Sequence, residues 1–159
     1  MTEHRFGEES VEKMVDWATE QVPPSSSPFI AEIGVGNGNL LFALADAGYS
    51  PDHLCGIDYS QEGIDLAHTI ATSKRYDDIK LEVLDFLRQD FIKIDGLPEE
   101  GWDLLLDKGT YDAMALAEKE ESEVALFKQY PARVAEILKP GGFLLITCEC
   151  YRFEINTIG

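Results

Sequence analysis

A glycine-rich segment after the first apolar run is the part of the chain best suited to chemistry. Glu32 is followed by glycines at alternate positions, Gly34, Gly36 and Gly38. The apolar run before them and the helical pattern after them predict a strand, a tight loop and a helix. Glycine is needed where a backbone takes unusual dihedral angles or approaches a ligand closely, and the N–H groups of the next helix point at the loop. The segment predicts either a site for a nucleoside-type cofactor or a glycine turn without a ligand.

The spacing of the loop separates two kinds of cofactor. A dinucleotide-binding loop has the pattern Gly-x-Gly-x-x-Gly, in which a small third residue lets the helix pack against the strand. Here Asn39 holds that third position, and Gly38 comes one residue early. The carboxylate of Glu32 would repel a pyrophosphate but attract a cation. Glu-x-Gly-x-Gly-x-Gly resembles motif I of the class I, seven-strand methyltransferases, which implies S-adenosylmethionine, a sulfonium cation, as the cofactor.

Two aspartates follow later predicted strands and suit the nucleoside part of that cofactor. Asp58 lies about twenty residues after the loop, where an acidic residue binds a ribose. It would accept hydrogen bonds from both ribose hydroxyls, next to Tyr59. Asp85 would accept a hydrogen bond from the adenine amine, with Phe86 beside the ring. We therefore predict these four residues as cofactor-binding.

The two remaining acidic residues at strand ends suit the reacting part of the ligand. Glu32 would face the cationic amino and sulfonium groups. Asp107 ends the fourth predicted strand, where the methyl group and its acceptor should meet. Acidic residues end strands often by chance, but four of them in register with a glycine loop favour one ligand site beyond the carboxyl ends of the strands.

The segment that begins at Asp107 indicates a particular family within the class I methyltransferases. Residues 107–114 read Asp-Lys-Gly-Thr-Tyr-Asp-Ala-Met, which closely resembles a sequence typical of the lysine methyltransferases that modify translation elongation factor 1-alpha. Residues 56–60 and 6–10 resemble other segments of the same family, and the resemblance extends over residues 6–147. It implies elongation factor 1-alpha as the protein substrate.

The resemblance also implies a reaction, the in-line transfer of a methyl group from the sulfonium to a lysine amine. Only the neutral amine attacks, whereas a free lysine has a pKa of ~10.4. Exclusion of water and the approach of the sulfonium would lower that pKa. Asp107 is the candidate catalytic residue that orients the amine, and Tyr111 is a candidate contact for the lysine stem or its charge. Lys108 is either a substrate contact or a partly solvated structural residue.

Composition limits the class of protein and its partners. The 159 residues, 45% of them apolar, suit one domain with a sizeable core. With 30 acidic and 13 basic residues the net charge is −17, which disfavours nucleic acid and membranes as partners. The acidic surface either attracts a basic partner or serves solubility alone. No signal peptide or membrane-spanning run is found, so we expect a cytoplasmic protein.

Cysteine and histidine usage indicates no metal. The three cysteines and three histidines lack the spacing of metal ligands. We interpret Cys55, Cys148 and Cys150 as buried, reduced thiols.

The elements that position these residues alternate along the chain. Residues 1–28 form an N-terminal helix and linker, with Ser10 as the predicted cap of the helix, and residues 29–148 form the cofactor-binding core. Five predicted strands alternate with helices in that core, at residues 29–33, 53–57, 79–83, 102–106 and 143–147. This order predicts an α/β fold, a Rossmann-like doubly wound parallel sheet of the seven-strand methyltransferase type.

The divergent tail, residues 149–159, departs from the family pattern. It is too short for the helix and two strands that usually follow strand five, so we expect a truncated chain without strands six and seven. Strand five would then be an unpaired apolar edge, unless residues 151–158 pair with it as a short extra strand, and the acceptor half of the site would be incomplete. Weak or absent catalysis is therefore expected. The alternatives are a class I methyltransferase with a small-molecule acceptor, or a non-catalytic domain that binds the cofactor or a partner. A dehydrogenase is the least favoured class.

Overall fold

The computed structural model describes residues 2–91, 98–117, 120–147 and 153–157. In chain order, its helices and strands are α1 (Thr2–Gln21), β1 (Ile30–Ile33), α2 (Asn39–Asp46), β2 (Leu54–Asp58), α3 (Gln61–Lys74), β3 (Lys80–Val83), β4 (Trp102–Lys108), α4 (Thr110–Leu116), α5 (Glu121–Phe127), α6 (Tyr130–Ile137), β5 (Leu138–Thr147) and β6 (Phe153–Thr157). None of these helices is both long and apolar enough to cross a membrane.

The strands form a single sheet in the order β3-β2-β1-β4-β5-β6. Strands β1 to β5 pair in parallel, which confirms the predicted doubly wound fold. From β1 the chain winds outward to β2 and β3, then returns to place β4 on the other side of β1. The direction of winding therefore reverses between β1 and β4, and this switch point is where open α/β sheets bind their ligands.

Strand β5 is not an unpaired edge, because the tail supplies the short extra strand that the sequence left open. Strand β6 pairs with it antiparallel, in a register that runs from Phe143↔Thr157 to Thr147↔Phe153. The tail was expected to be too short for two strands, and the described residues do contain only this one beyond β5. That single strand pairs with the backbone of residues 143–147, so the apolar part of β5 is no longer the edge of the sheet and β6 is the outermost strand.

The apolar core lies on both faces of the sheet. Met14 of α1, Leu41 of α2 and Ile64 of α3 belong to a cluster on one face, and α6 covers the other with Val134 and Ile137. In β4, Leu104 and Leu106 join the first cluster and Leu105 joins the second. Both faces of a central parallel strand are buried, which explains why its sequence is continuously apolar rather than alternating.

Several boundaries differ from the sequence prediction. Helix α1 begins at Thr2, so Ser10 lies inside the helix and does not cap it. Residues 121–137 contain two helices, α5 and α6, and Pro131 lies in the first turn of α6, where a missing N–H costs nothing. Of the three cysteines, Cys55 is buried as expected, and Cys148 and Cys150 lie outside the described residues.

Candidate cofactor site at the switch point

Asp58 fixes the glycine loop against the end of β2. The Gly36 N–H donates to Oδ2 of Asp58 and the Ser60 N–H donates to Oδ1, both at 2.9 Å. The Gly34 and Val35 N–H groups both donate to the carbonyl of Ile57, also at 2.9 Å. The loop is therefore held in one conformation. Each carboxylate oxygen of Asp58 still has accepting capacity for a ligand hydroxyl, and the side chain is half-buried.

The three glycines of the loop all have positive φ, but the space around each of them differs. At Gly34 (φ +75°) a Cβ would overlap the Thr110 side chain, and at Gly38 (φ +86°) it would lie 2.7 Å from the Phe42 ring. At Gly36 (φ +53°) nothing lies within 4 Å of that position. The outer glycines thus allow close packing of the loop, whereas Gly36 borders open space that a ligand can approach.

Glu32 is a buried carboxyl group without a complete set of partners. It is 1% exposed in the centre of β1, and its Oε2 atom has no hydrogen-bond partner among the described residues. Burial raises the pKa of Glu32 well above its ordinary value; the nearby Lys108 lowers it, and the Asp107 and Asp58 charges raise it further. A buried oxygen without a donor is costly, so this group is suited to a cationic or hydrogen-donating ligand.

Asp107 is completely buried and has partners within the protein. Its Oδ1 accepts from the Thr110 N–H at 2.7 Å, its Oδ2 accepts from the Tyr111 N–H at 3.0 Å, and the Tyr130 hydroxyl donates to Oδ2 at 2.5 Å. Burial raises the pKa of Asp107, although these three hydrogen bonds lower it. The carboxylate therefore holds the start of α4, and a direct contact with a substrate amine stays a prediction.

The residues predicted to bind adenine lie at the end of β3. Asp85 is partly exposed, and it accepts from the Leu87 N–H at 3.0 Å and from Nη1 of Arg88 at 2.9 Å. Phe86 is only 4% exposed, with its ring 5.3 Å from that of Tyr130. Asp85 is thus open to a ligand, whereas Phe86 supports the site from within the core.

The remaining predicted site residues are more open. Tyr59 is 80% exposed beside Asp58. Lys108 and Tyr111 are half-buried at the end of β4 and in the first turn of α4. The ring of Tyr111 lies 4.9 Å from that of Tyr130, so its position is fixed by aromatic packing.

Sequence reasoning missed Thr110 and Tyr130. Thr110 lies within the quoted motif, but nothing in the sequence indicates that it contacts the glycine loop 76 residues earlier, as the Gly34 geometry shows. Tyr130 precedes a proline and looks like an ordinary core residue. Within the described ranges, no group of histidine, cysteine and acidic side chains suits a metal ion.

The sheet order, the glycine loop and the carboxyl groups around it define a Rossmann-type domain with a ligand site at its switch point, the class to which S-adenosylmethionine-dependent methyltransferases belong. A family model described as "Methyltransferase domain" matches residues 29–155, from the start of β1 into β6, and the chain belongs to this family.

Curated relatives confirm the resemblance to the lysine methyltransferases. The chain is 37% identical over 153 residues to "Protein-lysine N-methyltransferase efm4" of Schizosaccharomyces pombe, an alignment that covers 89% of this chain and 63% of that protein. It is 35% identical over 142 residues to "EEF1A lysine methyltransferase 2" of Homo sapiens, with 89% and 56% covered. The chain therefore spans 56–63% of the length of these two relatives.

A solved structure supports the fold. The chain superposes on a S-adenosylmethionine-dependent methyltransferase from Clostridium acetobutylicum with a TM-score of 0.62 and 19% identity, over 86% of this chain and 49% of that one. At this identity the likeness concerns the fold alone.

Proposed function

We propose that this chain binds S-adenosylmethionine and belongs to a cytoplasmic protein-lysine N-methyltransferase that acts on elongation factor 1-alpha. The observation that carries the proposal is the buried Oε2 of Glu32, which has no partner among the described residues, beside a hydrogen-bonded glycine loop at the switch point. The motif at residues 107–114 and the names of the curated relatives support the lysine acceptor and its protein. Nucleic acid and membranes are not proposed as partners, because the net charge of −17 would repel both.

The charges around the site fit a sulfonium cation better than a pyrophosphate. Burial raises the pKa of Glu32; the Lys108 charge lowers it, and the Asp107 and Asp58 charges raise it further. Such a surplus of negative charge in a partly desolvated site attracts a cation and repels a diphosphate. This electrostatic balance supports S-adenosylmethionine over a dinucleotide.

The proposed roles follow the positions of the residues. S-adenosylmethionine supplies an electrophilic methyl group on its sulfonium sulfur. Gly34, Gly36 and Gly38 shape the loop that receives the nucleoside. Asp58 accepts from the ribose hydroxyls beside Tyr59, and Asp85 accepts from the adenine amine.

The acceptor side of the site follows β4. Lys108 and Tyr111 lie where a substrate lysine would enter, and Asp107 fixes the turn that carries them. Glu32 neutralises the cation. A substrate lysine would have to arrive as the neutral amine to accept the methyl group, so the contribution of these residues would be mainly positioning and exclusion of water.

Asp58→Ala is expected to weaken S-adenosylmethionine binding about 100-fold. The variant loses the acceptor for the ribose and the anchor of the Gly36 N–H, and hydrogen bonds to a charged group contribute about 1.5–3 kcal/mol each. Calorimetric titration with S-adenosylmethionine and with NAD measures both affinity and cofactor class. Asp46→Ala is the matched control, because Asp46 accepts from the Tyr76 hydroxyl away from the site. Equal affinity of the two variants would contradict the assigned role of Asp58.

Methyl transfer separates the acceptor hypotheses. The chain is incubated with methyl-labelled S-adenosylmethionine and either purified elongation factor 1-alpha or a panel of small-molecule amines. Label on lysine of the elongation factor supports the proposal, and label on a small molecule alone supports the alternative acceptor class. Binding of S-adenosylmethionine without any transfer would indicate a cofactor-binding domain that is not catalytic by itself.

A further inference from the structure

Tyr130 contacts Asp107 at the switch point, and the proposed function gives this tyrosine no role. It is the first residue of α6 and is 1% exposed. Its hydroxyl donates at 2.5 Å to Oδ2 of Asp107, a carboxyl group with no exposed surface. A side chain on the far side of the sheet from α1, α2 and α3 therefore reaches the end of β4.

The contact continues through Asp107 to the glycine loop. Asp107 accepts the N–H groups of Thr110 and Tyr111, which begin α4. The Thr110 side chain occupies the space that a Cβ at Gly34 would need. One hydrogen-bonded and packed path thus joins Tyr130 to the loop that shapes the proposed cofactor site.

We infer that Tyr130 is a positioning residue for the ligand, which acts by holding Asp107 and, through it, the start of α4 against Gly34. This inference rests on the proposed function for the identity of the ligand, S-adenosylmethionine. Tyr130 does not touch the ligand in this role; it fixes the turn and the loop that do.

The hydroxyl, rather than the ring, carries this role. Burial and the Asp107 charge raise the pKa of Tyr130, so the group keeps its proton and remains a donor. A phenylalanine would keep the ring contacts with Phe86 at 5.3 Å and Tyr111 at 4.9 Å. It would leave one oxygen of a buried carboxylate with a single donor, and a carboxylate that lacks a donor turns or takes up a proton.

The chain offers a matched control in Tyr49. It is also a buried tyrosine, 2% exposed; its hydroxyl donates to the Val22 carbonyl at 2.8 Å and is also hydrogen-bonded with the Thr19 side chain. Neither Tyr49 nor Val22 belongs to the proposed site. Tyr49→Phe therefore reproduces the loss of a buried hydroxyl without affecting the path to Gly34.

The test compares the affinity of Tyr130→Phe and Tyr49→Phe for S-adenosylmethionine by calorimetric titration. The urea midpoints of the two variants are measured alongside. We expect a lower midpoint for both variants, an affinity about tenfold weaker for Tyr130→Phe, and an affinity within about twofold of the wild type for Tyr49→Phe. If the two variants bind equally well, the positioning role is wrong.

Amide hydrogen exchange provides a readout that does not need the ligand. Exchange at Thr110, Tyr111 and Gly34 should be faster in Tyr130→Phe and unchanged in Tyr49→Phe, because only the first variant loosens the hydrogen bonds to Asp107. Unchanged exchange in Tyr130→Phe would overturn the inference. If the wild type does not bind S-adenosylmethionine, the proposed function fails, and the exchange result still decides whether Tyr130 holds the loop.

Discussion

Glu32→Gln is expected to raise the free energy of unfolding at neutral pH while it weakens S-adenosylmethionine binding. Burial raises the pKa of Glu32 well above the ordinary 4.5. Between pH 4.5 and the raised value, the folded protein holds a proton that the unfolded chain has released. The wild type must therefore lose stability as pH rises through this window, by about 1.4 kcal/mol per pH unit. Glutamine carries no such proton and avoids the loss.

The measurement is urea unfolding of the wild type and Glu32→Gln at several pH values from 4.5 to 8. The difference in free energy should grow with pH in favour of the variant. Glu62→Gln, which replaces an exposed glutamate in α3, should follow the wild type. Parallel curves for the wild type and Glu32→Gln would show that Glu32 is not a destabilising buried acid.

The same substitution has the opposite effect on binding. A cation favours the ionised carboxylate, so S-adenosylmethionine binding should release a proton from Glu32, and the wild-type affinity should rise with pH in this window. Titrations in buffers of different ionisation enthalpy measure the released proton. Glu32→Gln should bind more than about tenfold more weakly at pH 7 and release no proton.

Gly34→Ala is expected to cause the largest loss of stability in the glycine loop. A positive φ costs a non-glycine residue about 1–2 kcal/mol, and displacement of Thr110 by the new Cβ adds about 1–3 kcal/mol. Gly36→Ala has the same backbone cost but meets no atom within 4 Å. Urea unfolding should give a clearly lower free energy of unfolding for Gly34→Ala than for Gly36→Ala. Equal losses would mean that the contact between Gly34 and Thr110 does not form.

Gly34→Ala and Gly36→Ala should both affect ligand binding, but through different changes in the loop. Gly34→Ala moves Thr110 and so disturbs the loop and the start of α4 together. Gly36→Ala places a methyl group in the space that borders the ligand, so it should weaken S-adenosylmethionine binding while it lowers the urea midpoint by the backbone cost alone, less than Gly34→Ala does. Binding by Gly36→Ala at the wild-type affinity would place the ligand elsewhere.

The sequence predicted the parallel sheet, and it gave the candidate site, because both depend on local patterns. Continuous apolar runs mark strands such as β4, and the spacing of glycines after Glu32 marks the loop. The two aspartates near the ends of β2 and β3, Asp58 and Asp85, follow the same local logic. Each of these features is encoded within a dozen neighbouring residues.

The features that the sequence did not predict depend on contacts between distant segments. Tyr130 has a role only because α6 brings it to Asp107, 23 residues earlier. The pairing of β6 with β5 satisfies backbone groups whatever the side chains, so tail residues that do not resemble the family pattern can still form a strand. The sequence did not predict helix α4, because its first two N–H groups donate to Asp107, which lies two residues before the N-cap, Gly109.

The central position of β1 also has a consequence for the order of folding. Its first neighbour, β2, pairs Ile30 with Leu54, but its second neighbour, β4, pairs Ile30 with Leu104. During synthesis, the ribosome must therefore release every residue from β1 to β4 before β1 can acquire both neighbours. Contacts of such long sequence separation form slowly. Glu32 pairs with Gly56 on one side and Leu106 on the other, so the step that closes the middle of the sheet also assembles the site.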